Sequence, residues 1–354
     1  MFAISDESLS SLTSCLDQDD DGSVMPVKKI LLIRTCGLGD TILMWPAVNA
    51  VRKSVPRARI DIMGHRDRCE LLAGQGGADQ ALEVEGSGLH YLFQMGSEPP
   101  PGVRRRFGSY DLIVVFAAPG DYALAENLSA CGAREVHAFL PFPPEGERTH
   151  AADHLLDCLV GVGLAERGAT VLLPISEQEK KAGRERLREI GIADGRTVIL
   201  APGSGSLEKN WSPKRFAQLA DGLSKLDLQP VLMEGPADRD AVASVKDRLE
   251  NQIPLLAGDS PAGLKGVLAR AALFVGNDSG PTHLAAALGV PSVAVFGPTD
   301  PEVYKPRGPR VAIVRREVDC SPCTEDERHA CNDRICLDAV RIEDVMRACR
   351  EMLA

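Results

Sequence analysis

The chain contains no run of 18 apolar residues, and residues 1–25 lack both the basic stretch and the apolar stretch of a secretion signal. The first absence argues against a transmembrane helix and the second against export, so the expectation is a cytoplasmic protein. Basic charge is also short. Forty Lys and Arg stand against 50 Asp and Glu, a net charge of −10, which argues against nucleic acid as a partner because phosphate neutralisation needs a basic surface. What is present is ordinary for a globular protein, with 44% apolar and 25% charged residues. At 354 residues the chain suggests two domains, each able to bury its own core.

One stretch organises the rest: Phe274-Val275-Gly276-Asn277-Asp278-Ser279-Gly280-Pro281-Thr282-His283, followed by the apolar run 284–288 and a second strand-like run at 291–296. An apolar run that stops at Gly276, turns through small polar residues and resumes as Leu-Ala-Ala-Ala-Leu predicts strand, tight loop and helix. In open α/β sheets ligands bind at that end of the strand. The backbone N–H groups of residues 279–283 would form an anion site at the helix start. Asp278 would be repelled by an anion, so it should accept hydrogen bonds from hydroxyls, and the combination suggests a nucleotide-sugar site. The plainer alternative is that Asp278 or Ser279 only caps the helix.

The first half opens with residues 1–26, which carry six acids and little apolar pattern and read as an acidic disordered tail. The run 28–34 predicts a strand buried on both faces. It ends in Thr35-Cys36-Gly37-Leu38-Gly39-Asp40, with a helix expected over 41–53. This loop is not a dinucleotide fingerprint, because Ile42 stands at the third glycine position and no acid ends the next strand. Gly37 and Gly39 then serve close approach of a ligand to the backbone. Asp40 is either an N-cap or a catalytic base. Further strands are expected at 59–63, 111–116 and 135–139. The cluster Arg104-Arg105-Arg106 is either a solvated face or a contact for an anionic acceptor near the cleft.

The alternation restarts without sequence repetition after a crossing at 163–174. A strand at 197–201 leads into Pro202-Gly203-Ser204-Gly205, with Lys209-Asn210-Trp211 following. A small-residue loop with one lysine suits a diphosphate leaving group, on which negative charge accumulates; a plain surface lysine is the competing reading. Strands at 230–234 and 253–257 come next, and Gly297-Pro298-Thr299 closes the strand after the central motif. Cys320, Cys323, Cys331 and Cys336 are spaced C-x2-C-x7-C-x4-C, compatible with structural zinc or with disulfides. Two α/β halves of similar length imply two doubly wound, Rossmann-like domains facing a central cleft.

Gly37-Leu38-Gly39-Asp40 with Trp45-Pro46-Ala47, the Pro-Gly-Ser-Gly loop with Lys209-Asn210-Trp211, and the 277–283 motif leading to Gly297-Pro298-Thr299 resemble, in that order, glycosyltransferase family nine, the ADP-heptose:lipopolysaccharide heptosyltransferases. The resemblance implies the second glycosyltransferase (GT-B) architecture, with an acceptor domain at 27–174, a donor domain at 175–340 and a C-terminal helix at 341–354. It implies inverting transfer of heptose, without a metal or other cofactor, from ADP-heptose to an anionic glycan or glycolipid such as the lipopolysaccharide inner core, with peripheral association at the inner membrane left open. Asp40 stands where the family's proposed base stands and Lys209 where its phosphate-binding lysine stands. Asp278, Ser279, Gly280, Thr282 and His283 match the donor loop, with Gly203 and Ser204 beside them. Asp238 and Glu234 compete for the acid on the nucleoside side, with Asp238 preferred. A GT-B enzyme using a UDP- or GDP-sugar and a non-catalytic sugar-nucleotide binder are the other readings.

Overall fold

A computed structural model describes residues 27–354 apart from 97, 119, 120, 145, 193 and 194. The acidic segment 1–26 lies outside the described residues. The first half forms a five-stranded sheet from β1 (Lys29–Ile33), β2 (Arg59–Gly64), β3 (Gln80–Glu83), β4 (Leu112–Phe116) and β5 (Glu135–Phe139). The second half forms a six-stranded sheet from β6 (Thr197–Ala201), β7 (Gln229–Glu234), β8 (Leu255–Ala257), β9 (Leu273–Asn277), β10 (Ser292–Val295) and β11 (Val311–Val314). Every strand pairing is parallel.

The strand orders explain where a site can form. The first sheet runs β3-β2-β1-β4-β5 and the second β11-β10-β9-β6-β7-β8, so the direction of winding reverses between β1 and β4 and between β6 and β9. Loops diverge at such a switch point and leave a crevice at the carboxyl ends of the strands. The loops concerned are 34–40 after β1, 202–211 after β6 and 278–280 after β9, the three stretches that the sequence singles out.

Both central strands are apolar on both faces, as helix-covered parallel strands must be. Ile30, Leu31, Leu32 and Ile33 are at most 2% exposed, and Phe274 and Val275 are fully buried. Each such side chain contributes about 1.5–3 kcal/mol on burial, enough to fix these strands as the middle of their sheets. One continuous apolar cluster joins the halves, running from Ile30, Ile60 and Val114 through Trp45, Leu159 and Leu173 to Val267, Leu284 and Phe274. The crossing segment is pinned from both sides, with Trp45 Nε1 donating to Leu172 O at 2.8 Å and Leu173 N to Ala287 O at 2.8 Å.

The helix expected over 41–53 is two helices, Leu38–Leu43 and Trp45–Ser54. The break falls at Met44 because Pro46 lacks the N–H that a continuous helix would need there and suits only a helix start. The strand β3 was not foreseen, since Gln80–Glu83 is short and half polar. The C-terminal helix Ile342–Leu353 packs on the second sheet through Val345, Ala348 and Cys349. Among the described residues no helix is long and apolar enough to cross a membrane.

Candidate active site

Asn277 ends β9 and ties two of the switch-point loops together. Its side-chain oxygen accepts from Trp211 N at 3.0 Å, and its amide nitrogen donates to Pro202 O at 2.8 Å. Trp211 is itself fully buried and donates from Nε1 to Val340 O at 3.0 Å. The 202–211 loop is therefore held at both ends. Within it Ser204 Oγ donates to Ser206 O at 2.6 Å and lies 2.7 Å from Asn210 Oδ1. Gly203 is required by packing, because a Cβ there would fall inside the Asp238 carboxylate.

This anchored loop delivers Lys209 to Asp278. Lys209 Nζ donates to Asp278 Oδ2 at 2.7 Å, and Thr299 Oγ1 donates to the same oxygen at 2.8 Å. His283 Nε2 lies 3.7 Å from Asp278 Oδ1. Burial alone would raise the Asp278 carboxyl, but His283 and Lys209 outweigh it and hold the group well below the usual carboxylate range. Asp278 therefore remains an anion at any working pH. With two donors on its Oδ2, Asp278 fixes a cation at the head of the following helix. Lys209 is no plain surface lysine, with a side chain 22% exposed and its ammonium in this pair.

That helix, Gly280–Ala287, starts without a side-chain cap, although Ser279 occupies the N-cap position. Ser279 Oγ instead pairs with Thr282 Oγ1 at 2.9 Å, and Thr282 Oγ1 donates to Asn277 O at 2.6 Å. The capping alternative for Asp278 and Ser279 is thus not what these side chains do. A helix start whose first N–H groups have no side-chain partner retains its attraction for an anion.

Asp40 lies in the first turn of Leu38–Leu43, whose N-cap is Gly37 with no side-chain bond. Its carboxylate is therefore not the cap. The two helix starts meet directly: a Cβ on Gly280 would come within 2.6 Å of Leu38 Cβ and 3.1 Å of Gly39 N, and a Cβ on Gly39 within 3.1 Å of His283 Cδ2. Gly39 and Gly280 thus allow one half of the protein to touch the other, where the sequence reading had a ligand approaching the backbone of Gly37 and Gly39.

Asp238 closes the far side of the 202–205 loop. It is 9% exposed and accepts from Gly235 N at 3.0 Å, and burial pushes its carboxyl up. The structure does not bring Arg104 and Arg105 to this place. They lie exposed on Pro101–Phe107, which packs through Val103 and Phe107 on the opposite face of the first sheet and feeds the amino end of β4. Arg104 stands beside Cys131, at the end of the helix that leads into β5, and so toward the amino edge of the sheet rather than its carboxyl-end loops. The basic residue that does stand beside Asp40 is one the sequence reading passed over as the end of a strand. Arg34 is 2% exposed, donates to Asp40 O at 3.3 Å and Pro141 O at 2.9 Å, and lies 5.1 Å from the Phe142 ring centroid. A basic residue ending an otherwise apolar buried run was the available signal.

Cys320, Cys323, Cys331 and Cys336 are free thiols, so the disulfide reading falls. Among the described residues no group of three or more His, Cys, Asp or Glu is arranged to hold a metal ion. Structural zinc has no support in this arrangement.

The sequence pattern of glycosyltransferase family 9 (heptosyltransferase) matches residues 147–332. Lipopolysaccharide heptosyltransferase 3 of Escherichia coli (strain K12) is 25% identical over 284 residues, which cover 76% of this chain and 82% of that protein. A solved glycosyl transferase family 9 structure from Veillonella parvula superposes with a TM-score of 0.78 at 22% identity, covering 93% of this chain and 98% of that one. The structure of E. coli ADP-heptose lps heptosyltransferase II gives a TM-score of 0.71 at 18% identity, covering 92% and 98%.

Proposed function

The chain belongs to glycosyltransferase family 9, and from that premise we propose that it is an inverting heptosyltransferase moving a heptose from ADP-heptose to a saccharide acceptor of the lipopolysaccharide inner core. The donor and acceptor follow the names of the relatives it resembles. On this reading residues 27–174 carry the acceptor, residues 175–340 carry the donor, and the last helix braces the second sheet. The acceptor is an anionic glycolipid met at a membrane face, and no resident cofactor takes part.

One observation carries the reading. The turn that holds Asp40 and the helix start that holds Asp278, Lys209 and His283 come from different halves of the chain, yet touch through Gly39 and Gly280. Inversion by direct displacement needs this division: a base on one side takes the proton of the acceptor hydroxyl while the nucleotide diphosphate leaves from the other. Asp40 is the base. Lys209 and the free N–H groups at the start of Gly280–Ala287 take up the charge that develops on the diphosphate. Lys209 is paired with Asp278, and an arriving diphosphate shares the ammonium while Thr299 and His283 continue to hold Asp278. Gly203 and Ser204 shape the phosphate loop, Ser279 and Thr282 set the geometry of the helix start, and Asp238 faces the nucleoside side. Contact between the halves keeps water from the donor, which would otherwise be hydrolysed.

The test is Asp40→Asn, assayed for heptose transfer by mass spectrometry and for ADP binding by calorimetry. Transfer is expected to fall by at least about two orders of magnitude, the range general-base catalysis supplies, with ADP affinity unchanged. Wild-type-like transfer in this variant ends the assignment. A thermal-shift comparison of ADP, UDP and GDP checks the base of the donor, since only a bound nucleotide raises the melting temperature.

A further inference from the structure

The short helix Pro301–Tyr304 follows directly on the Gly297-Pro298-Thr299 loop and borders the site. It begins two residues after Thr299, whose hydroxyl donates to Asp278, and is capped by Asp300, whose carboxylate accepts from Glu302 N at 2.9 Å. The cap sets the direction of the turn, which carries Tyr304 into a small apolar cluster with Leu43, Ala152, Val303 and Phe142. Tyr304 meets Phe142 edge-on at 6.0 Å between centroids, and Phe142 in turn lies against the Arg34 guanidinium. Leu43 follows Asp40 by three residues on one helix, so the two share a face. Tyr304 therefore packs beside the helix that bears Asp40, while its own helix grows from the loop that holds Asp278.

The ring is only half-buried, and its hydroxyl has no bond to another described residue and is not sealed among the buried unpaired polar atoms. Burial pushes the phenol up, and the Asp40 and Asp278 carboxylates push it further in the same direction. At neutral pH it is a protonated donor without an acceptor. Whatever lies between an attacking hydroxyl at Asp40 and a leaving diphosphate at Lys209 is the sugar in transit. An aromatic ring with a polar tip suits a sugar, whose C–H face packs on the ring while a hydroxyl meets the tip.

Resting on the function proposed above, we propose that Tyr304 is a specificity-determining residue for the transferred sugar, its hydroxyl donating a hydrogen bond to a hydroxyl of the donor that a heptose carries and a hexose lacks. A site built around such a bond discriminates against sugars that cannot supply the acceptor, because the buried partner is then left unpaired.

The test uses the full chain with Tyr304→Phe, which keeps the ring and removes only the oxygen, and Tyr304→Leu, which removes the ring. ADP affinity by calorimetry and the melting temperature should be unchanged in Tyr304→Phe. Its kcat/KM with ADP-heptose should fall about tenfold, the worth of one neutral hydrogen bond. Its preference for ADP-heptose over ADP-glucose should narrow by a similar factor, which a merely structural tyrosine would not produce. Unchanged kcat/KM and unchanged preference in Tyr304→Phe overturn the proposal, and so does a loss seen only in Tyr304→Leu, which would leave the ring a packing role alone. Should the wild-type chain bind ADP yet transfer from neither donor, the parent reading fails first and takes this one with it.

Discussion

Replacing His150 should remove acid sensitivity from the joint between the two halves. His150 caps the helix Ala151–Gly161, with Nδ1 accepting from Ala152 N at 3.2 Å and Nε2–H donating to Lys305 O at 2.8 Å. One ring nitrogen accepts while the other donates, so the folded protein requires the neutral imidazole in a single tautomer. Burial pushes its pKa down to about 4; Arg307 and His283 act in the same direction, while the Lys305 carbonyl and Asp153 oppose it. The sign follows from linkage. Above pH about 6.5 the ring is neutral in both folded and unfolded chains and contributes no pH dependence. As pH falls through that value the unfolded chain takes up a proton that the folded chain refuses until about pH 4, and stability drops by about 1.4 kcal/mol per unit. Between pH 7.5 and 5.0 the loss comes to about 2 kcal/mol. His150→Asn retains an oxygen able to cap Ala152 N without titrating. Urea unfolding at the two pH values should therefore show the wild-type chain losing about 2 kcal/mol more than the variant. Equal losses would refute both the depressed ionisation and the idea that this joint senses acid.

Two further substitutions probe the site and the seam. Asp278→Asn removes the anion from a buried pair and leaves Lys209 without its partner, at a cost of about 3–5 kcal/mol measurable by denaturant unfolding, with ADP binding weakened in calorimetry. The folded carboxyl lies below its ordinary range, so the stabilisation it gives is present above pH about 4 and is lost as pH falls through the folded value, and the Asn variant should not show that acid limb. Gly280→Ala pushes a methyl group into Leu38 and the Gly39 amide, an overpacking cost of about 1–3 kcal/mol, seen as a lower melting temperature together with slower transfer.

The fold was legible because parallel strands buried on both faces have to be written as continuous apolar runs, and 28–34, 197–201 and 273–276 are such runs. The loops after them were legible for a related reason. Glycines at a strand end serve either a left-handed backbone, as at Gly205, or a close approach, as at Gly203, Gly39 and Gly280. What approaches was not legible, since a glycine does not say whether its neighbour is a ligand, a carboxylate or the other half of the chain. Arg104 and Arg105 needed topology: three consecutive arginines look like a binding surface until their helix is seen to run toward the amino edge of the sheet. Arg34 and Tyr304 escaped notice because each sits in an unremarkable local sequence: Arg34 acquires Asp40, Pro141 and Phe142 only when the first half folds, and Tyr304 acquires its neighbours only when the two halves meet. The same holds for the break at Met44, which a proline signals only within a residue or two.

The second half by itself accounts for the strong ionisation of Asp278, through Lys209, Thr299 and His283. A lone buried carboxylate would be driven to protonate, and an isolated buried lysine to lose its proton. Held together at 2.7 Å, with Thr299 supplying a second hydrogen bond, they keep their charges at the start of a helix whose own N–H groups are unspent. That arrangement keeps an ammonium beside the start of the helix. A diphosphate with more than one negative charge is drawn to the Lys209 ammonium that Asp278 holds in position, whereas a neutral sugar or an unphosphorylated nucleoside is not. Selection for the diphosphate is thus built into the resting pair. It follows that ADP should bind more tightly than adenosine by more than the worth of one ordinary hydrogen bond, and that this difference should shrink in Lys209→Ala. Calorimetry on the four combinations of ligand and protein measures the coupling directly, and a difference that survives the loss of Lys209 would remove the lysine from the phosphate site.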